Sequence, residues 1–353
     1  MTDSTSLIQQ ASAAYAALDL DAARDAYSQA VEVSPDDYDA HLGLARTLSR
    51  MRKQEEADAA VARCIEIDPE RAEGYFAKGV LLFLTDDLDD AQAALDQGIE
   101  LAPEEPEGYI TLSQVLADQN EFDAAEEALS DAREQIAKLS EEDQPAVSAM
   151  ALHAETYLRL AQGNNDDAVE TALEVIELEE ANPYAACLAY SNLGILQMRG
   201  RKYDLAINYL QEALDLNPYF YRAGHALGRL YIVRKRYAEA VETLQRVVDA
   251  TSEPSAGVRY ALASALSKNG QRKEALAAHR AALAAGLSGI NALNARLQII
   301  WLSEVGRYSI IAILMAAVLA YIVLGQPSTQ TLTFIALLAV LIVLQRTVGR
   351  RRG

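Results

Sequence analysis

The side chains best suited to chemistry are few and scattered. His41, His153, His225 and His279 lie in four different stretches, and none has a partner at the spacing that a metal site or a nucleophile–base–acid triad needs. Cys64 and Cys187 are the only cysteines. Each falls at an apolar or small-residue slot of a helical pattern, so both read as reduced core thiols and give no disulfide framework or zinc cluster. The glycines stand singly, so no glycine-rich phosphate loop is present. Asp86-Asp87-Leu88-Asp89-Asp90 has the charge of a cation loop but lacks the alternating oxygen ligands and the distal glutamate; it reads as a helix start whose carboxylates meet the positive helix end. No catalytic residue, metal site or cofactor is therefore expected, and the chain is read as a binding protein rather than an enzyme. Met1–Gln10 has no basic cluster or apolar run, so no signal peptide is expected.

What the sequence does contain is a period. Pro35, Pro69 and Pro103 are 34 residues apart, as are Ala23, Ala57, Ala91 and Ala125, and again Leu48, Leu82 and Leu116. Three coincident series define a repeat, and a repeat array grows by stacking instead of closing one core. Within each period, apolar residues recur at three- and four-residue spacing, break at a short polar turn, resume, and stop at Pro, which predicts two amphipathic helices. Gly79 and Ala91 are expected where the paired helices cross, because a bulky side chain there would push them apart. The beat slips once: Ala125 and Ala206 are 81 residues apart, two periods plus 13. The surplus is expected in a lengthened second helix near Ala132–Lys138 and a polar link at 140–145, with an irregular turn at Gly163-Asn164-Asn165. The reading totals about eight units over residues 4–289.

The formal charge of −20 is unevenly spread. Residues 1–182 carry 42 acidic and 11 basic side chains, whereas 183–298 carry 8 and 15. The acidic distal half, 4–182, is expected to stand away from an anionic surface, and the basic proximal half, 183–289, to lie against it. Beyond residue 290 the composition changes. Ser309–Gly325 and Pro327–Leu344 are uncharged runs of 17 and 18 residues, each just long enough as a helix to cross a hydrocarbon layer. The expectation is a transmembrane helical hairpin over 308–345. Arg296 and Arg307 precede it, Arg346 and Arg350-Arg351-Arg352 follow it, and the link has no cation, so the array and the basic tail 346–353 are placed in the cytoplasm. Leu293, Leu297, Ile300 and Trp301 share one face of a helix within 290–307, read either as an interfacial juxtamembrane helix or as a cap on the last repeat. Trp301, Arg307, Arg346 and Arg350 are the expected membrane-interface residues. Arg greatly outnumbering Lys, with abundant Ala and Asp, points to a prokaryotic inner or plasma membrane.

The periodic pattern resembles the tetratricopeptide repeat. Tyr190, Asn192-Leu193-Gly194, Tyr203, Ala206, Leu210, Ala213 and Pro218 carry the fullest signature, and Leu227-Gly228, Tyr231, Tyr237, Ala240 and Leu244 repeat it. His41, Leu44-Ala45, Leu48, Ala57 and Pro69 make an in-phase unit, and Ala23, Tyr27, Ala30 and Pro35 an opening one. The resemblance implies an all-α helix–turn–helix solenoid with a concave groove lined by the first helix of each unit. It puts Asn192, Arg199, Arg222, His225 and Arg229 in a basic groove, and Phe76, Val80 and Phe83 in an apolar one. Asn192 and Arg222 match two slots of the carboxylate clamp of chaperone-binding members, but Ala226 stands where that clamp has Arg. The implied partners are proteins or peptides with acidic or C-terminal carboxylate segments, together with a lipid bilayer; nucleic acid is not among them. The expected function is a membrane-anchored scaffold or adaptor that binds partners through its groove at the cytoplasmic face. A self-assembling homo-oligomeric subunit and a regulatory subunit of an enzyme complex remain as alternatives.

Overall fold

The computed structural model describes residues 3–251 and 254–303, together with Tyr308 and Met315. Its helices come in consecutive pairs: α1 (Ser4–Ala16) with α2 (Leu20–Val33), α3 (Tyr38–Arg50) with α4 (Gln54–Ile67), α5 (Ala72–Leu84) with α6 (Leu88–Leu101), and α7 (Pro106–Asp118) with α8 (Phe122–Ile136). There follow α9 (Gln144–Ala161) with α10 (Asn165–Glu177), α11 (Pro183–Arg199) with α12 (Tyr203–Leu216), α13 (Tyr221–Val233) with α14 (Tyr237–Ala250), and α15 (Ala256–Lys268) with α16 (Arg272–Ala284). A single helix, α17 (Gly289–Leu302), follows.

One small residue sets each pair. Ala23, Ala57, Ala91, Ala125, Ala168, Ala206, Ala240 and Ala275, one from each second helix, are all 0% exposed. The facing position is equally tight: a Cβ added at Gly79 would lie 2.5 Å from Leu95 Cγ, and one at Gly194 would lie 2.6 Å from Leu210 Cγ. The turn inside each pair is also repeated. Leu18, Arg52, Asp86, Asn120, Gly163, Arg201, Lys235 and Gly270 all have positive φ. The next residue's N–H reaches back to a carbonyl five positions earlier, as in Lys53 to Leu48 (2.9 Å), Asn164 to Arg159 (2.8 Å) and Gln271 to Leu266 (3.0 Å). This is the Schellman ending, which satisfies the orphan carbonyls of the first helix and reverses the chain in two or three residues. Between early pairs the periodic prolines cannot continue the helix, and their carbonyls take a second job. Those of Pro35, Pro69 and Pro103 accept from His41 Nε2 (2.9 Å), Tyr75 (3.1 Å) and Tyr109 (3.1 Å), each six residues on.

The slip is absorbed differently from the expectation. Helix α8 has 15 residues, one more than α4 or α6, while α9 has 18 and α11 has 17 against 13 for α3, α5 and α7. The extra length therefore goes mainly into first helices, with the remainder in the 137–143 link. Asp87 is the N-cap of α6, with Asp89 and Asp90 in its first turn. Both thiols are fully buried and face carbonyls, Cys64 that of Tyr38 and Cys187 that of Ala213; burial pushes each up to about 12.

The chain forms two compact units, residues 1–230 with 249–252, and residues 231–248 with 253–353. In the first, the beginning meets the end. Leu18, Leu20 and Met51 are buried against Tyr15, Tyr184, Leu216 and Tyr219. The Arg50 guanidinium lies between two rings, 3.8 Å from the centre of Tyr15 and 3.9 Å from that of Tyr184, and the Tyr219 hydroxyl donates to Asp21. The acidic opening repeat thus lies against the start of the basic segment. Desolvated apolar area and a cation held between two π faces hold this contact, and the opposite charges of the two segments favour it.

In the second unit, α17 packs against α16 and buries Ala292, Ala295 and Leu302. Its other face leaves Ile290, Leu293, Leu297 and Trp301 between 50% and 69% exposed, while Ile300 is half-buried. The expected hairpin at 308–345 and the interface residues Arg307, Arg346 and Arg350 lie outside the described residues, apart from Tyr308 and Met315, both of which are exposed. Among the described residues no helix is long and apolar enough to cross a membrane.

The turn geometry makes a direct test. A Cβ added at Gly163 would meet nothing within 4 Å, yet φ there is +82°. Gly163→Ala is expected to cost about 1 kcal/mol through backbone strain alone, whereas Lys235→Gly, at an exposed position with φ of 61°, is expected to be neutral or to stabilise by about 0.5 kcal/mol. Urea midpoints of the two variants check the opposite signs.

Candidate functional site: a chamber and a polar niche

Closing the first unit encloses the inner faces of its first helices. The result is a chamber of about 600 Å³, walled by α3, α5, α7, α9, α11 and the start of α13. Val80 and Phe83 of α5 face Val147 and Met150 of α9, and the Phe83 ring meets Tyr157 edge-on at 6.0 Å. Charged groups enter at set points: Arg46 crosses from α3 to Glu107 of α7 at 2.5 Å, and Arg50 lies in its tyrosine sandwich one helical turn on. The Tyr157 hydroxyl donates to Asp118 at 2.6 Å.

Asp118, Tyr157 and Arg222 also line a second, smaller cavity of about 190 Å³ together with Asn192, Leu196 and Arg199. In this polar niche, Asn192 is 3% exposed and its Nδ2 has no partner. A buried amide donor left open is costly unless something accepts from it, and an anion between two arginines would do so.

The structure therefore brings Asn192, Arg199 and Arg222 together, and places Val80 and Phe83 in the adjoining chamber. His225 and Arg229 line neither cavity; His225 lies against the Tyr221 ring. Phe76 does not reach the groove. It is 1% exposed in the core between repeats, where the bare backbones of Gly98 and Gly108 make room for its ring: a Cβ at either would lie 2.5–2.6 Å from the ring. Sequence reasoning missed Arg50, Tyr15, Tyr184 and the Arg46–Glu107 bridge. Residues 46 and 50 stand one turn apart on a first helix, a signal that was available, but their partners lie far along the chain. Among the described residues no three His, Cys, Asp or Glu side chains are grouped to hold a metal ion.

Electrostatics fix one protonation state. Burial, reinforced by the Arg222 charge, lowers His153 to about 3, so the imidazole is neutral in the fold. His225 and His279 are also lowered, to about 4 each, chiefly by burial.

These features define a class: an α-helical repeat protein built from stacked helix pairs. Models described as tetratricopeptide repeat match residues 14–79 and 198–256 in one case and 76–141 in another, together more than half of the chain. The chain belongs to the tetratricopeptide repeat family. A chain of the crystal structure of the APC/C hetero-tetramer Cut9–Hcn1 aligns over 84% of this chain and 55% of its own length, with 18% identity and a TM-score of 0.57. The present chain thus spans little more than half of that relative, and the likeness is one of fold. Pseudomonas aeruginosa pilF aligns over 64% of this chain and 97% of its own, at 15% identity and a TM-score of 0.49. No curated protein sequence matches the chain.

The neutral His153 predicts an acid-sensitive fold. Above pH 6.5 neither the folded nor the unfolded chain protonates this residue. Between 6.5 and about 3 the unfolded chain takes up a proton that the folded chain refuses, so stability falls with pH by up to about 1.4 kcal/mol per unit. His153→Gln is expected to flatten the pH dependence of the urea midpoint between pH 6.5 and 4. An unchanged slope would show that His153 is not the group responsible.

Proposed function

We propose that this chain is a membrane-anchored scaffold that holds protein partners at the cytoplasmic face of a membrane, gripping them by an acidic or C-terminal carboxylate segment in the polar niche. One observation carries this reading: the buried Asn192 amide, unpartnered at Nδ2, shares a small cavity with Arg199 and Arg222. A carboxylate there would accept from the amide and be held by two cations, each such charge-assisted bond being stronger than a neutral one. Repeat arrays of this family offer extended inner surfaces of this kind for peptides. The described residues supply positioned donors and apolar walls.

The membrane part of the reading rests on the uncharged runs 309–325 and 327–344 and on the exposed apolar stripe of α17 that leads toward them. Ile290, Leu293, Leu297 and Trp301 would enter the headgroup region, with Trp301 suited to the interface. The cationic flanks at 296–307 and 346–352 support an array and a C-terminus on the cytoplasmic side, and the excess of Arg over Lys supports a prokaryotic inner or plasma membrane.

Two measurements test the two parts separately. Immobilised peptides ending in a free carboxylate are expected to bind the full chain, and Arg222→Ala or Arg199→Ala to weaken capture about tenfold each; equal capture of amidated peptides would remove the niche from the mechanism. Sodium carbonate washing is expected to leave the full chain in the membrane pellet while a chain truncated after residue 307 becomes soluble. Release of the full chain by carbonate would sink the hairpin.

A further inference from the structure

Beyond the niche, and without relying on it, we propose that the chamber of the first unit binds a small amphipathic anion, an unbranched apolar tail ending in a single carboxylate. Three features of the wall select this chemistry. The first is size. At about 600 Å³ the chamber falls within the roughly 300–1,000 Å³ of small-molecule sites.

The second is hydrogen bonding. The wall along Val80, Leu81, Phe83, Ile110, Val147 and Met150 is apolar, and two of the polar side chains beside it, Thr111 and Asn182, are already committed. Thr111 donates to the Glu107 carbonyl (3.1 Å), while Asn182 donates to the Ala146 carbonyl (2.8 Å) and accepts from the Ala185 N–H (3.0 Å). A peptide lying here would bury a donor and an acceptor per residue with little to pair them, whereas an alkyl tail has neither.

The third is charge. Arg46, Arg50, Arg52 and Arg222 face the chamber against two acids, Glu107 and Asp118. Three of those arginines are drawn from only eleven basic residues in the first 182, so a strongly acidic segment turns a positive face inward. Glu107 is engaged by Arg46 and Asp118 accepts from Tyr157. Arg50 meets two tyrosine faces and, at 3.5 Å, the Tyr15 carbonyl, with no carboxylate partner among the described residues. His153, 5% exposed on the same wall, has an unpartnered Nδ1. An anionic head fits Arg50 and Arg222, and the apolar wall takes the tail.

The test uses the full chain in lipid nanodiscs and decanoate carrying a diazirine at its tail end. After irradiation, the labelled peptides are located by mass spectrometry. Label is expected on α5 and α9, near Val80, Phe83 and Met150, suppressed by excess decanoate and at least tenfold less well by decanol. Val80→Trp, which fills the chamber without touching the niche or the Tyr15–Arg50–Tyr184 contact, is expected to abolish this label. Arg50→Gln is expected to weaken competition by decanoate about tenfold, and circular dichroism checks that each variant retains its helices. Label confined to 309–344 would mean partition into the bilayer and overturn the proposal, as would undiminished labelling in folded Val80→Trp. Equal suppression by an acetylated apolar tetrapeptide would also overturn it and assign the chamber to a peptide.

Discussion

Everything in this chain follows from how closely two helices can approach. With a fully buried alanine at the crossing of each pair, the backbones come near enough to interlock, and the same approach recurs at nearly constant spacing. Ridges of one helix seat in the grooves of the next, and the small rotation per pair accumulates. In the first unit that rotation brings the opening pair back against the α11–α12 corner. A larger residue at the crossing would change the rotation and separate the ends that meet at Arg50.

Closure then turns a surface into an interior. The inner faces of the first helices, which in an open array would be a shallow groove, become walls that face one another across the chamber. Where such a charge is partly withdrawn from water, as at Arg46, it weighs more than the same charge on the outer surface. This is why a few arginines define the character of the inner face in a chain whose formal charge is −20. It is also why the niche and the chamber, though joined at Arg222, differ in kind: one offers open donors, the other apolar area with cations along it.

The helix pairs were legible because they depend on residue types at fixed spacing. Ala23, Ala57, Ala91 and Ala125 could be nothing but small, and Pro35, Pro69 and Pro103 could not continue a helix. The left-handed turns were illegible for the opposite reason. That conformation costs little enough for Leu18, Arg52 and Lys235 to be tolerated, so only Gly163, Gly270, Asn120 and Asp86 are of types that favour it. Asn192, Arg199 and Arg222 could be placed on the inner face by analogy with the family, yet Phe76, on the same face as Val80 and Phe83 by count, turns into space left by Gly98 and Gly108. The Tyr15–Arg50–Tyr184 stack had no local signal, since periodicity describes neighbours and says nothing about where an array meets itself.

The Tyr219–Asp21 contact joins residues 198 positions apart, which gives synthesis a particular order. An ordinary repeat array can complete each unit as it leaves the ribosome, because each touches only its neighbours. Here Leu18, Leu20 and Met51 are made early but find their cover only when α11 and α12 have emerged. At about 5–20 residues per second, the nascent chain carries this apolar edge uncovered for on the order of ten seconds or more. During that interval the opening repeat is an adhesive surface, open to chaperones or to another nascent copy of itself.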